Sequence, residues 1–381
     1  MNKEMFKIFL LTLSISMAFV LNLHGQIPMK RVLSRITIPS VSFTRGLVDT
    51  VGFPHRARQM DFIGRLCEDI EKKSIADNQK RFNLSDDTPF IFGISPHDDY
   101  MLAARIYVHV QRYIKAKTVI LIGNAHWSET FGIRNKLIFG DFKQWRGPYG
   151  SVKISEIRDE ITAKLNPQDY TVNRTVVETE HSLEAQVPFL QYYNRNVEII
   201  PILVPFMDWE NMNKLSKELA EVITEIIKKK NWVLGHDIAV LCTTDGQHYG
   251  DYGWSYYDYH PFGCNADGYK KATELDKKLI NSYLVGEAKL EKVHKLFTEL
   301  VDQNNISNYK ITWCGRFSVS FSTSFVIRLA KKAENKTLKG YFLQYGSSLS
   351  NPWLPLKKYN LGITGDVNLH HFVTYFALGF K

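Results

Sequence analysis

The residues of this chain best suited to chemistry are histidines, acids and one cysteine that stand beside apolar runs. His97 follows Phe90-Ile-Phe-Gly-Ile-Ser95 and Pro96, and His126 follows Thr118-Val-Ile-Leu-Ile-Gly123. Asp245 and His248 follow a third run, Ile238 to Cys242, and Cys314 stands in Ile311-Thr-Trp-Cys-Gly-Arg316. Imidazole is a common transition-metal ligand and thiolate a soft one, so two imidazoles and a thiolate suit such an ion. Asp245 and His248 would sit beside it, orienting ligands or moving protons. Each histidine could instead bond only a loop carbonyl. No ligand pair has compact spacing, so convergence depends on the elements that carry these residues.

Those elements read as strands that feed one edge of a sheet. The runs ending at Ser95 and Gly123 are rich in strand formers, and between them Leu102, Ile106, Val110, Tyr113 and Ile114 recur at helical intervals. Strand, helix, strand is a crossover that makes its strands parallel, so His97 and His126 should leave neighbouring strands at the same carboxyl edge. Ligands of open parallel sheets bind at that edge. The run 238–242 delivers Asp245 and His248 to it as a third case. Cys314 precedes a predicted helix from about Phe317 to Glu334, where the positive end of the helix dipole would favour its thiolate. A metal or an electrophile could use that thiolate.

The remaining pattern supports an α/β chain with a central, mostly parallel sheet flanked by helices. Helices are expected over 59–71, 101–115, 157–165, 209–230, 272–284 and 290–300, and further strands over 151–154, 198–204, 339–345 and 371–380. Tyr249 to Phe262 reads as an aromatic loop. Glu178-Thr-Glu-His-Ser-Leu-Glu184 precedes Leu183, Val187, Leu190 and Tyr193 at helical spacing, with Ser182 placed to cap and Pro188 to limit or kink the helix. Glu180, His181 and Glu184 thus belong either to a cap or to a site.

At 381 residues and 44% hydrophobic, the chain can bury a large core, which excludes disorder as the default. Its net charge is +9; Lys3, Glu4 and Lys7 contribute +1, leaving +8 without the first 25 residues. The basic residues are dispersed and no nucleic-acid motif is present, so the charge reads as solvated surface. Cys67, Cys242, Cys264 and Cys314 show no C-x-x-C spacing, and at least one free thiol is expected. Lys3 and Lys7, the apolar run Ile8 to Leu23 and then Gly25 have the parts of an export signal over residues 1–25. Export to the periplasm or the extracellular space follows; because a bilayer-spanning helix needs about 20 apolar residues, an uncleaved anchor is the alternative. Residues 26–44 read as a lead-in to one domain over 45–381.

Taken in order, P-H-x-x-Y at Pro96 to Tyr100, G-x-x-H at Gly123 to His126, E-H-S-x-E at Glu180 to Glu184, T-D-x-x-H at Thr244 to His248, S-Y-Y-D at Ser255 to Asp258 and C-G-R at Cys314 to Arg316 resemble the Memo family, known in bacteria as AmmeMemoRadiSam system protein B. The resemblance runs from about residue 45 to the C-terminus. It implies a fold similar to the class III extradiol dioxygenases, which hold non-haem iron, and places the family's metal positions on His97, His126 and Cys314, with Asp245 and His248 beside them. The chain departs from the family at Asp98-Asp99, where Ala-Gly is usual, at Trp127, where a second His is common, and at Phe317-Ser318 after C-G-R. Three functions compete: a metal-dependent oxidoreductase using iron(II) or copper(I), with His248 or His181 moving protons; a non-catalytic copper- or iron-binding protein outside the cytoplasm; and a thiol hydrolase with Cys314 as nucleophile. The expected partner is a small-molecule substrate, with no nucleic acid, and a membrane only through an uncleaved leader.

Overall fold

Alternation along the central strands decides which side chains face which layer. Val119 and Leu121 pack on one side of the sheet, Ile120 and Ile122 on the other, and all four are fully buried. Both faces therefore need helical cover, which is why these strands read as unbroken apolar runs. A computed structural model describes residues 28–254, 257–350 and 352–381. The expected leader lies outside the described residues, as do Ser255 and Tyr256 of the aromatic segment.

The strands that position the site are β1 (Phe92–Ser95), β2 (Thr118–Asn124), β3 (Glu198–Val204), β4 (Ile238–Thr243), β5 (His248–Trp254), β6 (Lys339–Ser347) and β7 (His371–Phe380). Four of them form a parallel centre in the order β3, β2, β4, β1. The edge beyond β1 is antiparallel: β7 pairs with β1, and both β6 and β5 pair with β7. Gly150–Ile154 extends the other side, parallel to β3. The expected α/β architecture is present, with antiparallel strands added at its flanks.

Helices α1 (Ala57–Phe82) and α2 (Tyr100–Gln111) cover one face, and α3 (Trp209–Lys230) and α4 (Arg316–Glu334) the other. Met60, Ile63, Ala103 and Tyr107 join the first apolar layer; Leu215, Leu219, Ile223, Val319 and Phe325 join the second. Each of the larger aliphatic and phenylalanine side chains contributes about 1.5–3 kcal/mol of burial. Asp208 caps α3 by accepting from Asn211 N–H at 2.8 Å, and Asn231 ends it in the left-handed region at φ 54°.

Two local readings are corrected. The helix expected over 59–71 runs on to Phe82, because Glu71 and Ile75 continue its buried stripe. The segment read as an aromatic loop forms strands β5 and Tyr257–Tyr259, paired antiparallel; its polar, glycine-containing sequence lacks the apolar run that marked the central strands. None of the described helices is long and apolar enough to cross a membrane.

Candidate metal centre

The three strand ends converge, though not by the expected route. β1 and β2 are not neighbours: β4 lies between them and bonds to both, because the crossover through α2 skips one position. The loop after β4 therefore enters between the two histidines. Asp245 on that loop accepts the His97 backbone N–H at 2.9 Å, and its other oxygen lies 3.4 Å from His97 Nε2.

Cys314 arrives from the turn before α4. Trp313 fixes that turn by donating Nε1–H to the buried Asp276 at 2.7 Å, and the backbones of Gln247 and Trp313 form a bridge. Gly315 has to be glycine, since a Cβ there would lie 2.2 Å from Thr244 Cβ. That close approach sets Cys314 Sγ 3.3 Å from His97 Nε2 and within 3.2 Å of the Asp245 N–H. Gly123 plays the same part under His126, where a Cβ would meet Leu183 at 2.6 Å and Ser182 Oγ at 2.8 Å.

Both imidazoles are held from behind. His97 Nδ1 bonds Thr243 Oγ1 at 2.9 Å, which leaves Nε2 toward the thiol and the carboxylate. His126 Nδ1 lies 2.9 Å from Glu180 Oε1, while Glu180 Oε2 accepts the His126 backbone N–H at 2.8 Å. A ligating histidine is commonly held by such a bond to its other nitrogen. His181 stacks on His126 with ring centroids 4.7 Å apart, and the two lie 5.6 Å and 5.3 Å from the His97 ring.

Two donor groups result, each with atoms within 4.8 Å of one another: His97, His126 and His181, and His97, Asp245 and Cys314. His97 belongs to both. His126 and Cys314 line one cleft beside them. His248 Nε2 stands 3.9 Å from the far oxygen of Asp245, at the start of β5.

Burial governs protonation here. It pushes His97 down to about 3, aided by the nearby His126, and drives His181 and His248 well below the usual imidazole range. Burial raises Asp245 well above an ordinary carboxylate, with the Asp98 charge adding to it. It also raises Cys314 well above a free thiol, with Asp245 adding to it. The expected thiolate is thus corrected: desolvation outweighs the helix dipole unless a cation sits beside the sulfur. Glu180 is the exception. Burial would raise it, but His126, His181 and the Ser182 N–H hold it well below its usual range.

The capping reading of Glu180 and Glu184 is also corrected. The helix there begins with a 3₁₀ turn, Glu184–Gln186, and has no side-chain cap; Pro188 stands in the first turn of the following helix, Val187–Tyr193, where its missing N–H costs nothing. Ser182 Oγ instead donates to the Asn124 carbonyl at 3.1 Å, and Glu184 pairs with Arg45 at 2.5 Å and accepts the Val48 and Asp49 N–H groups. Asp98 and Asp99 are pinned rather than free. Tyr375 OH donates to Asp98 at 2.6 Å, Thr364 N–H to Asp99 at 2.5 Å, and burial with the Asp98 charge pushes Asp99 up to about 8. All four cysteines are unpaired.

A family model described as Memo-like protein matches residues 67–351, a stretch that contains every candidate ligand. A MEMO1 family protein of Caldivirga maquilingensis is 31% identical over 173 residues, 44% of this chain and 56% of its own length. One from Pyrococcus furiosus is 26% identical over 232 residues, 58% of this chain and 70% of its own. One from Thermococcus kodakarensis is 27% identical over 256 residues, 65% and 78% respectively. The chain thus spans little more than half the length of the first of these relatives.

Proposed function

Because this chain belongs to the Memo-like family, we propose that it binds one transition metal ion, iron(II) or copper(I), through His97, His126 and Cys314. The observation that carries this reading is the pair of imidazoles tied at Nδ1, to Thr243 and to Glu180, with His97 Nε2 aimed at a thiol 3.3 Å away. Neutral imidazole is the ligating form, and the low His97 pKa keeps it neutral at any physiological pH. A softer donor set of two nitrogens and one sulfur favours copper(I); the Asp245 carboxylate, 3.4 Å from His97 Nε2, adds the hard donor that iron prefers.

A bound ion of either kind supplies redox and Lewis-acid chemistry. The chain's own residues would then divide the work. Thr243 and Glu180 orient the imidazoles, Asp245 holds the His97 backbone, and His248, beside Asp245, and His181, stacked on His126, are the neutral imidazoles that would relay a proton. The reading as a metal-dependent oxidoreductase rests on this arrangement. The raised Cys314 thiol gives no support to a thiol hydrolase. The Lys3, Lys7 and Ile8 to Leu23 pattern supports a location outside the cytoplasm.

Metal analysis of protein purified without oxygen tests the binding claim. A stoichiometric iron or copper content is expected, and a chain that neither carries nor takes up either ion would overturn it. Oxygen uptake with catechol-type substrates separates an oxidoreductase from a protein that only binds metal.

A further inference from the structure

Beside the donor groups runs a narrow cleft lined by His126, Cys314, Asn124, Phe206, Tyr309 and Arg316, with a cavity of about 40 Å³. That is room for a group of a few heavy atoms. Arg316 is the unusual member. Its residue is 1% exposed, yet among the described residues no carboxylate lies within ion-pair reach of its guanidinium. Nε has no hydrogen-bond partner, and Nη2 makes only two long bonds, to the carbonyls of Ile306 at 3.3 Å and Ser307 at 3.4 Å.

A buried guanidinium without an anion is costly, and the contrast within this molecule is direct: Arg45, equally buried, is satisfied by Glu184 and by main-chain carbonyls. Arg316 is instead packed among aromatic rings, with the ring centroids of Tyr309 at 3.4 Å, Phe317 at 4.5 Å and Phe206 at 5.0 Å from its central carbon. Such packing favours the cation but supplies no anion for its N–H groups. A second feature points the same way. Arg316 is the first residue of the 19-residue helix α4, whose start has no side-chain cap and no acidic residue in its first turn. The positive end of the helix dipole thus meets the same cleft as the unpaired guanidinium.

We propose that Arg316 and the start of α4 bind the carboxylate of a small organic substrate, holding its far end beside His126 and Cys314. The planar fork of the guanidinium matches a carboxylate edge, and the cavity has the size of that group. The metal site then faces the rest of the same molecule. This assigns a substrate class, small organic acids, and rests on the proposed metal site for its catalytic meaning.

Calorimetric titration with benzoate, with benzamide as the uncharged isostere and with inorganic phosphate, tests it on metal-free and on iron(II)- or copper(I)-loaded full-length protein. Benzoate should bind both forms, and benzamide should bind about tenfold or more weakly, the scale of a lost charge-assisted hydrogen bond. Arg316→Gln should lose benzoate by a similar factor while its metal affinity stays unchanged, and Arg316→Lys should recover only part of it, because ammonium cannot supply the fork. Equal binding of benzoate and benzamide by the native protein, or undiminished benzoate binding by folded Arg316→Gln, would overturn the inference. So would phosphate binding with no benzoate binding. The benzoate and benzamide arms on the native protein decide the matter even if both variants fail to fold. Metal uptake without benzoate binding defeats this inference alone; benzoate binding without metal uptake defeats the metal site and leaves the anion site standing.

Discussion

Two histidine and glutamate pairs in this molecule share one geometry and differ in what surrounds them. His109 Nε2 lies 3.0 Å from Glu71, and His126 Nδ1 lies 2.9 Å from Glu180. Around Glu71 every direction is filled: Arg105 Nε at 2.6 Å, Ser74 Oγ at 2.8 Å and Gln344 Nε2 at 3.0 Å fasten α1 to α2 and β6. Around Glu180 the donors are the His126 ring and two backbone N–H groups, while the other ring nitrogen of His126 has one long contact, 3.4 Å to Asn124 Nδ2, at the wall of the cleft. A carboxylate with four side-chain donors from three elements holds those elements together. A pair whose imidazole lines a cleft and keeps its second nitrogen on one long contact is arranged for a ligand.

The comparison breaks most readily at Glu71. Glu71→Ala leaves His109 and Arg105 without their anion and should destabilise the fold by about 3 kcal/mol, read from the denaturant midpoint, with metal affinity unchanged. Burial would raise the Glu71 pKa, but bonds from His109, Ser74 and Arg105 overcome it and lower the value to about 2. A carboxylate depressed in the folded state adds stability above its unfolded pKa of about 4.3, and that stability is lost as pH falls through the folded value. The native protein should therefore weaken between about pH 4.3 and 2, and Glu71→Gln should flatten that part of the acid profile. A stable Glu71→Ala protein would mean that the two pairs are alike.

Glu180→Gln should show the reverse pattern. Its amide oxygen can still accept from His126 Nδ1 and the Ser182 N–H, though not from the His126 N–H as well, so the fold should lose less stability than in Glu71→Ala, while losing the charge behind the imidazole should weaken metal binding by about tenfold. Asp245→Asn and His248→Ala sharpen the comparison further and should have the smallest effect on occupancy, each keeping most of the metal. Loss of all metal in either variant would move that residue into the coordination set.

Much of this was legible in the sequence because apolar runs ending in polar residues have one main solution, a covered parallel sheet with its payload at the carboxyl edge. The bounds of α3 and the presence of β2, β3 and β4 follow from that pattern. What escaped was set by pairing at long range. That β4 lies between β1 and β2 depends on strand order, which spacing does not encode, and the antiparallel joining of β7 to β1 depends on the last residues of the chain. Glu180 read more readily as a cap than as a site residue, since only the fold brings it to His126, although its place beside His181 was a signal. Arg316 gave no sign of being unpaired, because a missing partner is a property of three dimensions. Cys314 was placed correctly at the helix start, but its burial, which decides its proton, could not be read from its neighbours.

The most direct test of the central claim is the affinity of the folded protein for iron(II) and copper(I) after single substitutions at the three proposed ligands. His97→Ala, His126→Ala and Cys314→Ser should each weaken binding by about tenfold or more, since even changes behind a ligand reach that scale, and Cys67→Ser, fully buried in the opposite layer, should leave it unchanged. Unchanged affinity for both ions in a folded Cys314→Ser protein, or a disulfide involving Cys314 in the active protein, would contradict the account.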